Sequence, residues 1–104
     1  MIITSSSSIA GKEIKKTFGI VRGNTIRARH IGKDIIAVFK NILGGEIQEY
    51  TKLMGESREQ AIDRMSEEAK GLGANAIIDC RFSTSYIMAN AAEILVYGTA
   101  VYVE

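Results

Sequence analysis

Few residues in this chain could carry reactive chemistry. Cys80 is its only thiol and His30 its only imidazole, and fifty positions separate them. A thiol and an imidazole brought together could act as a nucleophile pair. A metal centre needs several converging nitrogen, oxygen or sulfur donors, which one Cys and one His do not supply. Each residue also has a plainer reading. Cys80 stands in the alternating run Ile78-Asp79-Cys80-Arg81-Phe82, as a small core residue would. His30 follows Arg29 and precedes Lys33, and those charges repel a cation. No catalytic residue and no metal ligand set is therefore assigned. Tyr50 with the adjacent Arg58 and Glu59 is the remaining candidate binding group, set to line a cleft between subunits if copies assemble. The plainer alternative is a solvated or interfacial ion pair. The pair Gly44-Gly45 lacks the lysine of a phosphate cradle and serves better as helix punctuation.

The elements that would position these residues can be read in order. Ile2-Ile3 suggests a short strand, Ser5–Ser8 a loop, and Gly11 a turn leading back into extended chain. A long strand is expected over residues 17–31, with Gly23-Asn24 forming a hairpin turn or a bulge. Residues 33–43 read as a short helix. The longest periodic segment runs from Tyr50 to Leu72. There Met54, Arg58, Ala61, Ile62, Met65, Ala69 and Leu72 recur at spacings of three and four, and Gly73 follows as a left-handed stop. Residues 74–82 form a further strand, with Ala76, Ile78, Cys80 and Phe82 on one side. Residues 83–90 are expected to be the hairpin connection and 92–103 the last strand. The pattern is that of a single α+β domain, residues 1–104: an antiparallel sheet packed by one long and one short helix.

That last strand is apolar on both sides, Ile94, Val96 and Ala100 on one and Leu95, Val101 and Val103 on the other. Helices on one side of a sheet leave the other side to water, which selects polar residues there. The simplest cover for a second apolar side is another copy of the chain, so a homo-oligomer is expected.

Composition narrows the classes further. A chain of 104 residues buries roughly 65% of its unfolded surface, enough for one core. A single cysteine rules out an internal disulfide framework and suits a reducing cytoplasm. The N-terminus lacks the basic start and apolar run of a secretion signal, and the most apolar stretch, 94–103, is half a membrane span. A cytoplasmic protein with no membrane partner is expected. The net charge of +1 divides into +6 over residues 1–40 and −5 over 41–104. The basic residues Lys12, Lys15, Lys16, Arg22, Arg27, Arg29 and Lys33 could offer weak nucleic-acid binding. They are scattered, with only Phe18 among them as an aromatic, so complementarity between the two halves or between subunits is the better account.

Several blocks together resemble the YbjQ family: Ile9-x-Gly11-Lys12-x-Ile14, Gly19-Ile20-Val21-x-Gly23, Lys33-Asp34-Ile35, Gly44-Gly45, Tyr50, Arg58-Glu59-x-Ala61, Leu72-Gly73-Ala74-Asn75-Ala76 and Gly98-Thr99-Ala100-Val101. The resemblance spans the whole chain in order. It implies a small bacterial or archaeal protein of uncharacterised function, labelled "putative heavy-metal-binding". It also implies a β-α-β-β fold resembling a dodecin subunit and assembly as a ring of five. Glu46 and Asn24 depart from the family, which has arginine after the glycine pair and an acid after Gly23. An anion site at Gly44-Gly45 would lose a positive charge by the first change. The reading that results is a homo-oligomeric structural or small-ligand or metal-binding module of unidentified ligand and cofactor. The alternatives are an enzyme with sites between subunits, or a weak nucleic-acid binder through the basic N-terminal half.

Overall fold

The computed structural model describes residues 1–28, 47–88 and 91–104. The expected short helix at 33–43, His30 and Gly44-Gly45 lie outside the described residues. Among the described residues four strands and one helix are seen: β1 (Ile2–Ile3), β2 (Ile14–Ala28), α1 (Ile47–Leu72), β3 (Ala76–Met88) and β4 (Ala91–Val103). The sheet order is β1-β3-β4-β2. β4 lies antiparallel to both long neighbours, whereas β1 runs parallel to β3. The sheet is thus mixed rather than wholly antiparallel. The chain between β1 and β3 is long enough to return β3 in the same direction, which a tight hairpin cannot do.

α1 ends as its sequence requires. Gly73 adopts φ +93°, its N–H donates to Lys70 O (3.0 Å), and Ala74 N–H donates to Ala69 O (3.1 Å). These two bonds make a Schellman closure, in which a glycine takes the left-handed position without a Cβ clash. The buried stripe of α1 is Ser57, Ala61, Met65 and Ala69, four residues apart, flanked by the half-buried Met54 and Ile62. Arg58 and Leu72, which fit the same periodicity in sequence, are exposed instead. The steps of four carry the contact through Ser57, which a hydrophobic pattern passes over. Ser57 is fully buried, and its carbonyl accepts from Thr25 Oγ1 at 3.2 Å.

The stripe of small residues lets helix and sheet touch at the backbone. Gly23 lies inside β2, paired with Val96, not in a turn or bulge. A methyl group built on Gly23 would lie 2.0 Å from Ala61 O and 2.5 Å from Met65 N. Only a residue without a side chain permits that approach. The register shifts of β2 fall earlier, between Ile14 and Gly19, where Gly19 has φ +108°. Beneath α1 the core contains Val21, Ile77, Ile94, Val96 and Ala100, all nearly or fully buried.

The opposite side of the sheet has a second, smaller core of Ala76, Ile78, Val101 and Val103, packed by Ile9. The chain's own N-terminal strap therefore covers one end of the side that was expected to need another copy. The strap turns at Gly11 (φ +77°), with Lys12 N–H donating to Ile9 O, and Glu13 and Glu104 exchange two backbone hydrogen bonds. No strap residue among those described packs on the far end. Ile20 is 71% exposed and Ile26 57%. The radius of gyration, 17.1 Å, exceeds the about 13 Å of a compact chain of this length, and the longest extent is 52 Å.

The hairpin is also longer than its sequence suggests. Residues 83–88, read above as connection, continue β3 and pair with β4. Cross-strand partners there include Leu95 and Ile94, and such pairing overrides the polar character of Ser83 and Ser85.

The Gly23 contact generates two opposite expectations. Gly23→Ala should lower unfolding free energy by about 3 kcal/mol, since both clashing atoms belong to the helix backbone and cannot rotate away. Gly55→Ala, whose new methyl would meet nothing nearer than Arg58 Nη2 at 3.9 Å, should raise it by up to about 1 kcal/mol. Urea unfolding followed by circular dichroism measures both.

Candidate functional site

The most distinctive local geometry is a bulge in β3. Ile78 pairs with Thr99 and Arg81 with Tyr97, so Asp79 and Cys80 together stand opposite Gly98 alone. Asp79 takes the left-handed conformation, φ +52°, which aspartate tolerates better than most residues. Gly98 makes room for the bulge: a Cβ there would come within 2.6 Å of Ile77 Cγ2 and 3.0 Å of Ile78 O.

The N-terminal strap holds the bulge in place. Asp79 N–H donates to Ser6 O and Cys80 N–H to Thr4 O, each at 3.0 Å, and Ser7 Oγ donates to Asp79 Oδ1 at 2.7 Å. Arg81 Nη1 donates to Ser5 O (2.8 Å) and to Cys80 O (2.9 Å).

A bulge shifts the strand's alternation by one residue, and here the shift reassigns Cys80, Arg81 and Phe82, the last now opposite Val96 on the side of α1. Cys80 leaves the side of Ala76 and Ile78 and packs against the core beneath α1. Simple alternation through the bulge, as read from sequence, places it on the wrong side. Arg81 moves the other way, to the outer side beside Tyr97. Tyr97 also pairs with Arg22 on β2. One cross-strand row thus reads Arg22, Tyr97, Arg81, a 40%-exposed phenol between two guanidinium-bearing residues. Neither guanidinium forms an ion pair with a carboxylate among the described residues. Such a row suits an anionic group, since a guanidinium donates paired hydrogen bonds and a phenol adds a flat face. Ile20 lies two residues from Arg22 along β2 and Asn24 two residues to the other side, where Asn24 Nδ2 donates to Glu93 Oε2 of β4 at 3.1 Å.

The sequence-derived candidates do not converge. Arg58 and Glu59 are exposed on α1. Tyr50 belongs to the same helix, and its side chain lies outside the described set. His30 likewise lies outside the described residues. Sequence reasoning passed over Arg81 and Tyr97 because their meeting depends on a bulge. Gly98 opposite a polar residue was the one available signal.

A metal centre was tested on the donors. Among the described residues no group of three or more His, Cys, Asp or Glu stands together. Burial pushes the Cys80 thiol above its ordinary value, and the nearby Arg81 offsets this only in part. A thiol held protonated is a poor soft-metal ligand. The described residues of a single chain therefore do not fit a heavy-metal site. The basic stretch is partly engaged too: Lys15 pairs with Glu13 at 3.0 Å, and Lys16 sits over the Phe18 ring, 4.9 Å from its centroid. No helix among the described residues is long and apolar enough to cross a membrane.

A mixed four-stranded sheet packed by one long helix, with a bulged strand and a partly open outer side, defines a small α+β protein. The chain belongs to the YbjQ family: the family model described as "Putative heavy-metal-binding" matches residues 1–104. Its relatives include a UPF0145 protein of Dehalococcoides mccartyi, 59% identical over the full length of both chains. UPF0145 proteins of Methanosarcina acetivorans and Archaeoglobus fulgidus are 55% and 52% identical, each covering 97% of this chain and 95% and 94% of their own. Among solved structures, a Pediococcus pentosaceus protein of unknown function from the DUF74 family shares the fold. Its TM-score is 0.62 at 18% identity, covering 100% of this chain and 98% of that one.

The thiol environment can be tested by alkylation. Cys80 should react with iodoacetamide more slowly than an unstructured cysteine at every pH below its raised pKa. Arg81→Ala, which removes the offsetting charge, should slow it further. The sign for stability follows. The protonated thiol favours the folded state below the ordinary thiol value, and that contribution is lost as pH rises through the raised one.

Proposed function

We propose that the protein is a homo-oligomeric binding module, a single domain of dodecin-subunit-like topology assembled as a ring of five in the cytoplasm. Copies cover one another's open sheet surface, and ligand sites lie at the boundaries. The observation that carries this reading is the group of exposed apolar residues on the outer sheet side that the described part of the chain leaves uncovered. Ile20, Ile26 and Tyr97 are 71%, 57% and 40% exposed, and Leu95 between them is only half covered. Apolar residues left singly on a surface are ordinary, but here they share one side with Arg22 and Arg81. The elongated shape supports the same reading, since a chain far from compact gains burial by association.

The row Arg22, Tyr97 and Arg81 makes a small anionic molecule the best-suited ligand class. The heavy-metal description of the family would require donors contributed by several copies, because those described in one chain do not assemble. Arg58 and Glu59, exposed on α1, are available to a neighbouring copy.

Light scattering should give a mass several times the 11.3 kDa of one chain. Placing carboxylates in the open surface, as in the Ile20→Asp, Tyr97→Asp double variant, should reduce it to that of smaller species while the circular dichroism spectrum is retained. A monomeric wild-type protein would reject the reading. Dialysis against zinc or copper should show no binding by a dissociated variant.

A further inference from the structure

Cross-strand pairing lays out the outer side of the sheet in rows, one residue each from β2, β4 and β3. The row Arg22, Tyr97, Arg81 has two neighbouring rows, one beginning at Ile20 and one at Asn24, and neither holds a charged side chain. The carboxylates that flank it along β3 and β4 are already engaged. Asp79 Oδ1 accepts from Ser7 Oγ at 2.7 Å, and Glu93 Oε2 from Asn24 Nδ2 at 3.1 Å. The positive charge of the row is therefore not cancelled within the described part of the sheet surface.

The two cations are held differently. Arg81 Nη1 donates to Ser5 O and Cys80 O, which anchors that guanidinium on the strap and leaves Nε and Nη2 without a partner among the described residues. The strap follows β3 on the flank away from β4, where β1 also lies. The charge of Arg81 is thus drawn outward from Tyr97. Arg22 is exposed, and its side chain bonds to no described residue. Neighbouring strands stand about 4.8 Å apart, so the Cα atoms of the two arginines are about 10 Å apart with Tyr97 midway. To share one small anion with the anchored Arg81, Arg22 would have to lie across the phenol. A longer ligand meets both charges without that. Tyr97 is 40% exposed and stands between the half-buried Leu95 and Thr99 along β4, which give a ring seated there an apolar border. Cation, aromatic ring and cation in one row are complementary to anion, aromatic ring and anion, with stacking in the middle and charge-assisted hydrogen bonds at both ends.

We propose that this row binds a planar aromatic dianion, its ring on Tyr97 and one acid group against each arginine. This rests on the anionic-ligand reading above and adds the shape and the charge count of the ligand. Arg81, fixed by the strap, is the preorganised end of the site, and Arg22 is the end that adapts to ligand length.

Isothermal titration calorimetry of the wild-type protein with terephthalate and with trans-cyclohexane-1,4-dicarboxylate tests it. Both probes carry an acid at each end of a six-membered ring, and only the first ring is flat and aromatic. Terephthalate should bind about tenfold more tightly, and the preference should survive in Tyr97→Phe and vanish in Tyr97→Leu. Benzoate, with a single acid group, should bind about tenfold more weakly than terephthalate. Arg22→Ala and Arg81→Ala should each bring terephthalate down to the level of benzoate, with light scattering on the same samples showing the mass of the wild-type protein. The comparison of probes on the wild-type protein decides the matter even if a variant fails to fold. Equal affinity for the two diacids, or for terephthalate and benzoate, would overturn the proposal and leave a simple anion site standing. Failure of all three probes and of inorganic phosphate to bind would overturn the anionic-ligand reading with it.

Discussion

The structure depends on a backbone-to-backbone contact between α1 and the middle of β2. Gly23 has no side chain, and the helix opposite presents Ala61 and Ala69 on either side of Met65. The axis of α1 can therefore settle close against β2 and β4. This closeness brings Arg64 and Glu68 within reach of the β2 edge, where they bond backbone groups that would otherwise wait for a neighbouring strand. One close approach thus fixes the core and closes the middle of one sheet edge.

The bulge at Asp79-Cys80 exerts comparable control over the other side of the sheet. It costs an aspartate a left-handed backbone, and hydrogen bonds donated to Ser6 O and Thr4 O and accepted from Ser7 Oγ hold it there. By shifting alternation one step it sends the only thiol toward the core and an arginine to the surface. Chemistry on the outer side thereby becomes electrostatic, suited to anions, rather than thiolate-based. The strap that grips the bulge also delivers Ile9 to the second core, so folding of the N-terminus, the set of Arg81 and the cover over Val101 and Val103 are coupled.

Family membership and fold are secure from the full-length match and the shared architecture, while the described donors do not gather into a metal site. These facts fit if binding is a property of the assembly. Under the reading proposed above, the apolar and basic residues that the described part of the chain leaves together on one side become a site when a neighbouring copy is present.

The sequence by itself determined the long helix, its glycine stop, the turn at Gly11, the apolar character of both sides of β4 and the family. Each follows from local spacing, backbone freedom or a motif, and these act over a few residues. It pointed also to a second copy, and half of that need turned out to be met by Ile9 within the chain. Other features were decided only in three dimensions. Gly23 reads as a hairpin turn or a bulge in sequence and is a packing site because of a helix some forty residues away. Ser83–Met88 reads as a loop and is a strand because β4 lies alongside it. Cys80 and Arg81 exchange sides because Asp79 adds one residue to a ladder, and no periodicity can show a bulge before its partner strand is in place. The row Arg22, Tyr97 and Arg81 joins three strands, and only pairing across the sheet brings it together.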